Sequence, residues 1–460
     1  MTRARRRRAL QLWKKQARIP QLIDEVILYL KNDNEALKRC ACVSKTFLDA
    51  SRRVLFAEIT FELDYNKFRL EDIISRILEH GHISVYVTDL TLRGSENTRY
   101  VWSNHGVMQV VTGHVSASYH QKPPPWILSS FIFPDEVWDC LPRLRSLTIS
   151  SVALVAHRKY VRLGDVPLTF PLLPARHPSF RRMSLRKLEV DSIRLWGPRD
   201  QAFADLLCRF KCDSLHLGKL CTDHPGLPLQ PHPPSIPALP VSFPRVLYLS
   251  PDMIKDTFIE TLNRTVSTRI LRALTFNSCR ETLKTRSQYL TSFIAPAHST
   301  LARLDVAIAP GTGKKLNLSS FTNLREVTMI YYVDPPPDLI DESNWAALTC
   351  FLDHLPTNTI TSMKLVFIPV YDRDYARAQF QPSYCLKYLR ENVKSSLDPA
   401  FLRLLDGLER LELVWRSPEP PSVEDPMKYL RQFRRYIPSM VEADVLYLSY
   451  ENAQHRTFRT

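Results

Sequence analysis

Glycine is scarce in this chain, eleven residues in 460, so folds built on glycine-rich phosphate loops are not expected. Long apolar runs are missing as well. None approaches the roughly 18 residues that a membrane-spanning helix needs. The nine cysteines are odd in number and irregularly spaced, and no secretory signal precedes them. Reduced thiols in a nuclear or cytoplasmic protein are therefore expected. Neither the nucleophile-elbow pattern G-x-S-x-G nor the zinc-protease pattern H-E-x-x-H occurs. The closest approach to a phosphate loop, Pro310-Gly311-Thr312-Gly313-Lys314-Lys315, has Ile308 where the first glycine belongs and Lys315 where the magnesium-binding hydroxyl belongs.

Proline is abundant, at 34 residues, and the formal charge is +15. The charge is concentrated at one end. Arg3, Arg5, Arg6, Arg7, Arg8, Lys14, Lys15 and Arg18 place eight positive charges ahead of residue 19 with no acid among them. Segment 1–18 reads as a basic, disordered tail, because charges this dense repel one another. Arg5, Arg6, Arg7 and Arg8 fit a nuclear-import or RNA-contacting patch. An acid-free, arginine-rich start also fits an organelle presequence, but the next patterned segment begins at once and leaves no cleavable spacer.

From Ile19 the pattern changes. Leu22, Ile23, Val26, Ile27 and Leu30 recur at helical offsets as one broad apolar stripe, and Pro20 suits the helix start. Asp33 or Asn34 can cap a second helix carrying Leu37 and Cys40; Ser44 can cap a third carrying Phe47, Leu48 and Leu55. Three short helices in about 40 residues cannot bury this many apolar groups alone, so part of the stripe is expected to face a partner.

These residues resemble the F-box, in the F-box-like form found in fungal proteins. The matches are Ile19-Pro20, Leu22-Ile23, Val26-Ile27, Leu30, Leu37, Val43-Ser44-Lys45-Thr46-Phe47 and Leu55-Phe56. Two departures are that Leu22 follows Pro20 by two positions rather than three, and that the family's glutamate is absent. The resemblance implies that segment 19–56 binds a Skp adaptor and, through it, a cullin, with Ile19, Pro20, Leu22, Ile23, Val26, Ile27, Leu30, Val43 and Phe47 as the contact residues.

Beyond residue 56 an apolar-x-apolar signature returns twelve times: Ile59-Thr60-Phe61, Leu90-Thr91-Leu92, Leu147-Thr148-Ile149, Leu188-Glu189-Val190, Leu215-His216-Leu217, Leu247-Tyr248-Leu249, Leu274-Thr275-Phe276, Leu304-Asp305-Val306, Val327-Thr328-Met329, Met363-Lys364-Leu365, Leu411-Glu412-Leu413 and Leu446-Tyr447-Leu448. Helical patterns lie between some of them, at Leu70 to Leu78, Phe203 to Phe210, Ile254 to Leu262, Leu348 to Leu355 and Met427 to Tyr436. Strand and helix in alternation predict an α/β fold with a parallel sheet. The repeat resembles the irregular leucine-rich arrays that often follow fungal F-boxes, here without an asparagine ladder. It implies a leucine-rich-repeat-like solenoid over 57–460. The competing reading is an unrelated α/β domain with short alternating strands. Irregular spacing marks insertions near 94–126, 152–181 and 223–243. The third carries proline at 225, 228, 231, 234, 237 and 240, the period of a polyproline II helix, and is expected to be a stiff exposed loop.

Candidate chemistry is sparse. Cys208, Cys212, Cys221 and His224 have a loose zinc-like spacing, but ordinary buried thiols explain the cysteines better. His105, His114 and His120, Cys40 with Cys42, and Asp372 with Asp374 read as loop or core residues. No metal, no cofactor and no catalytic activity are expected. The resemblance implies the substrate-recognition subunit of an SCF-type ubiquitin ligase, holding a target protein of unknown identity on the repeat surface. The alternative is a nuclear nucleic-acid-associated protein using the arginine tail.

Overall fold

The computed structural model describes residues 19–63, 70–94, 98–102, 108–112, 115–118, 127–129, 135–151, 153–155, 183–191, 193–196, 207, 210–218, 220–222, 243–250, 262–263, 265–276, 290–308, 316–333, 343–369, 397–417 and 426–452. The chain divides into two compact units, one of Met1–Pro198 with Cys221–Leu227, the other of Arg199–Leu220 with Pro228–Thr460.

The first unit opens with helix α1 over 19–29, then α2 (Asn34–Ala41) and α3 (Lys45–Leu55). Both later helices begin where a short polar side chain can take up an orphan amide. The Ala36 N–H donates to Asp33 Oδ1 at 2.9 Å, and the Phe47 N–H donates to Ser44 Oγ at 3.4 Å. Ile23, Ile27, Leu37 and Ala50 form a small core, with Leu30, Cys40, Phe47, Val54 and Leu55 packed around it. An Arg53–Asp24 pair at 3.1 Å joins α3 to α1.

Parallel strands β1 (Glu58–Leu63), β2 (Asp89–Gly94), β3 (Ser146–Ser150) and β4 (Met183–Asp191) follow, each paired with the next in chain order. Helices α4 (Leu70–Glu79), α5 (Gly81–Ser84) and α6 (Asp135–Asp139) lie between them in sequence. The Tyr86 hydroxyl donates to Asp49 Oδ1 at 3.1 Å, which fastens α3 to the segment entering β2. Insertion 94–126 contains three antiparallel strands, Thr98–Trp102, Met108–Thr112 and Val115–Ser118. Ile127–Ser129, Ala153–Val155 and Ile193–Trp196 pair in parallel as a separate small sheet. Ser151, at φ 55°, makes the corner between β3 and the second of these. Of these strands, those between Thr98 and Ser118 and Ala153–Val155 fall in stretches expected as plain insertions, whereas Ile127–Ser129 and Ile193–Trp196 lie outside them; none is among the twelve signature triads.

The second unit carries β5 (Phe210–Leu217), β6 (Val246–Leu249), β7 (Ala273–Phe276), β8 (Arg303–Ile308), β9 (Glu326–Val333), β10 (Ser362–Pro369), β11 (Arg410–Ser417) and β12 (Leu446–Asn452). They pair parallel, in chain order. Helices α7 (Ser343–Asp353), α8 (Leu397–Leu402), α9 (Pro426–Phe433) and α10 (Pro438–Glu442) stand between the later strands. Asp398 ties two of them together, accepting hydrogen bonds from the Ser439 amide and hydroxyl. One sequence expectation needs correction. Of the helix placed over Phe203 to Phe210, Leu207 is helical and 203–206 and 208–209 lie outside the described residues, but Phe210 opens β5, because Phe210 and Cys212 already alternate inward with the strand's period of two.

All twelve signature triads fall on the ladder strands and in matching register. Ile59, Leu90, Leu147 and Leu188 stand side by side in the first unit. Leu215, Leu247, Leu274, Leu304, Val327, Met363, Leu411 and Leu446 do so in the second. The outer residues of each triad point into a core face, which in the second unit deepens into the ring series Tyr331, Phe367, Trp415 and Phe433. The α/β class with parallel strands is thus what the sequence pattern predicted.

Candidate functional site

Two surfaces present themselves, the outer side of α1 and the face of the ladders opposite the core. Each follows from a periodicity.

On α1 the broad apolar stripe splits. Ile23 and Ile27 turn inward, Ile27 with 1% of its surface exposed, and Leu30 packs beside them. Ile19, Leu22, Val26 and Tyr29, at offsets of three, seven and ten, form a second strip, and all four are exposed, Leu22 at 61%. This outer strip adds nothing to the unit's own core. Val43, in the turn between α2 and α3, is exposed as well, while Phe47 is half-buried and Pro20 exposed. The nine expected contact residues therefore divide into an outer group (Ile19, Pro20, Leu22, Val26, Val43) and an inner group (Ile23, Ile27, Leu30, Phe47). Tyr29 was missed, although its spacing from Leu22 and Val26 would have found it.

On the ladders, the middle residue of each triad points away from the core. In the second unit this row reads His216, Tyr248, Thr275, Asp305, Thr328, Lys364, Glu412 and Tyr447. His216 and Tyr248 stack on one another with centroids 5.7 Å apart. The Thr275 hydroxyl donates to Asp305 Oδ2 at 2.9 Å.

Towards β12 the row closes into an ionic network. Glu451 Oε1 accepts from Lys364 Nζ at 2.5 Å, and Oε2 accepts from Arg416 Nε and Nη2 at 2.9 and 2.7 Å. The Ser449 hydroxyl donates to Glu412 at 2.8 Å, and Arg410 lies over the Tyr447 ring at 4.9 Å. Burial alone would raise the Glu451 carboxyl's pKa. The hydrogen bonds and charges of Lys364 and Arg416 more than offset that, and hold it below the usual carboxylate range. Lys364 on β10 reaches Glu451 on β12 across the intervening strand β11, so the pair ties three strands together.

The arginines at 5–8, the histidines at 105, 114 and 120, Cys208, His224, Asp372, Asp374 and the proline row lie outside the described residues. Cys212 is a buried thiol in β5. Among the described residues no group of three His, Cys, Asp or Glu could hold a metal ion, and no helix is long and apolar enough to cross a membrane. Compared with known proteins, the chain matches no family model and no curated sequence.

Proposed function

We propose that this chain is the substrate-recognition subunit of an SCF-type ubiquitin ligase, a member of the F-box-like proteins with leucine-rich-repeat-like arrays. The N-terminal helices hold a Skp adaptor, and through it a cullin. The parallel ladders form a solenoid whose open face and rim hold a target protein. The chain itself makes and breaks no bond; it raises the effective concentration of the target beside the transferring enzyme.

One observation carries this reading. Helices α2 and α3 have their own N-caps and the three helices share one core, yet α1 still exposes an ordered strip of Ile19, Leu22, Val26 and Tyr29. An apolar patch held open in this way marks an interface.

The split stripe also separates binding from folding. A Leu22→Ala, Val26→Ala double variant should keep its helical circular dichroism and bind a purified Skp adaptor about a hundredfold more weakly, each truncation removing about 1–2 kcal/mol of interface burial. Ile27→Ala should instead destabilise the helices. Failure of the wild-type chain to bind the adaptor sinks the reading; equal binding by wild type and double variant moves the interface off α1.

A further inference from the structure

The second unit's ladder has a rim where each strand begins, and arginine recurs there. The residue two positions before each triad forms a backbone-bonded file. The Arg245 amide donates to the Asp213 carbonyl at 2.8 Å, Arg272 to Arg245 at 2.7 Å, Ala302 to Arg272 at 2.8 Å, Arg325 to Ala302 at 2.8 Å and Thr361 to Arg325 at 2.9 Å. Three of these consecutive rungs are arginine, and the Ala302 rung is followed directly by Arg303. All four arginine side chains are exposed.

Their charges are poorly answered by the protein. The guanidinium groups of Arg245 and Arg272 have no ion pair among the described residues. Arg325 donates Nη1 to the Thr359 carbonyl at 2.9 Å, and Arg303 stands 3.9 Å from Asp305. Glu326, next to Arg325 in sequence, forms no ion pair among the described residues. Like charges on neighbouring rungs repel. An arrangement that costs the fold stability is expected where a ligand offsets it.

We propose that this arginine file binds an acidic, extended polypeptide segment, carboxylates outward from alternate residues to the rungs. The proposal rests on the receptor reading only for calling that segment part of a target. At the usual strand spacing, Arg245 to Arg325 spans about 14 Å, which roughly five extended residues would cover. A peptide suits the file better than a nucleic acid. Single strands want free aromatic faces among the basic groups, whereas the ring pair on this part of the ladder, His216 and Tyr248, is stacked on itself.

The test is fluorescence anisotropy of the full chain with a labelled peptide of alternating glutamate and serine, long enough to cross the file, and with labelled oligothymidine in parallel. Replacing Arg245, Arg272 and Arg325 by glutamine should weaken peptide binding about tenfold or more, and Arg272→Gln alone about threefold. A charge-matched control at three exposed arginines, Arg143→Gln with Arg434→Gln and Arg435→Gln, should change it by less than about twofold. Equal losses in both triple variants would overturn the proposal, reducing the binding to net charge. Preference of the wild type for oligothymidine, lost in the file variant, would overturn it in favour of nucleic acid. Both triple variants should retain the adaptor, so failure here and failure of the adaptor experiment are distinct results.

Discussion

The two ladders share one rhythm at the signature and part company two residues later. On the open face of the first, the position following the triad is Glu62, Arg93, Ser150 and Asp191. In the second, the corresponding row on β8 to β11 holds Ala307, Ile330, Val366 and Val414, all buried, while Gly218, Ser250 and Ser449 in the same row are half-buried. The first ladder is a sheet with one wet face, so its strands alternate. From β8 to β11 the second is covered on both faces at this row, so these strands run almost continuously apolar, as in Val327 to Val333. A polar, solvated face can take a ligand without first being uncovered. On β8 to β11 of the second ladder that freedom is confined to the rim and the triad row, since the next row is buried.

The strongest way to break this contrast is to place a charge on each ladder at the same row. Val414→Asp places a carboxylate at a fully buried strand position and should cost about 3–5 kcal/mol in chemical denaturation. Ser150→Asp, at the matching place on the first ladder, should stay within about 0.5 kcal/mol. Comparable losses at both positions would mean the rows do not differ in burial.

A middle-sized effect separates the packing beneath the strands. A Cβ on Gly407, in the turn before β11, would come within 3.2 Å of the Ile360 carbonyl oxygen and 3.3 Å of the Asn358 carbonyl carbon. Those are backbone atoms with little room to yield, so Gly407→Ala should cost about 1–2 kcal/mol. In the first unit a Cβ on Gly81 would meet only Cys140 Sγ, at 3.8 Å. Gly81→Ala, in helix α5, should therefore be neutral or slightly stabilising. Thermal midpoints of the two variants check the pair, and equal shifts would remove the distinction.

What could be read in advance follows the reach of each interaction. The triads were legible because a strand's period of two and a fixed leucine spacing are local, and the register follows once neighbouring strands use the same triad. The caps at Asp33 and Ser44 were legible for the same reason, lying within three residues of the amides they accept from. The split of the α1 stripe was not, since it depends on where α2 and α3 pack. Val366 and Val414 read as ordinary strand residues, and only the fold shows that Lys364 meets a partner 87 residues away. The arginine file was hidden too: each Arg in Pro244-Arg245, Leu271-Arg272 and Leu324-Arg325 is unremarkable until parallel pairing brings the rungs together.

The smallest expected effect concerns Glu451. Its carboxyl is held below the usual range when folded, so its contribution is fully present above the ordinary carboxylate pKa and is lost as pH falls through the folded one. Glu451→Gln keeps the shape but gives up the charge. It should cost about 1 kcal/mol at neutral pH and flatten the acid limb of the stability curve. Above about pH 6 the difference between wild type and variant should be constant, because the carboxyl is ionised in both folded and unfolded chains. The first ladder supplies the control. Lys187 and Glu189 pair at 2.6 Å on the single strand β4, with 40% and 29% of their side chains exposed. That pair joins no second strand, so Glu189→Gln should change stability by only a few tenths of a kcal/mol. Equal acid sensitivity in the two variants would show that the Glu451 network does not hold β10, β11 and β12 together.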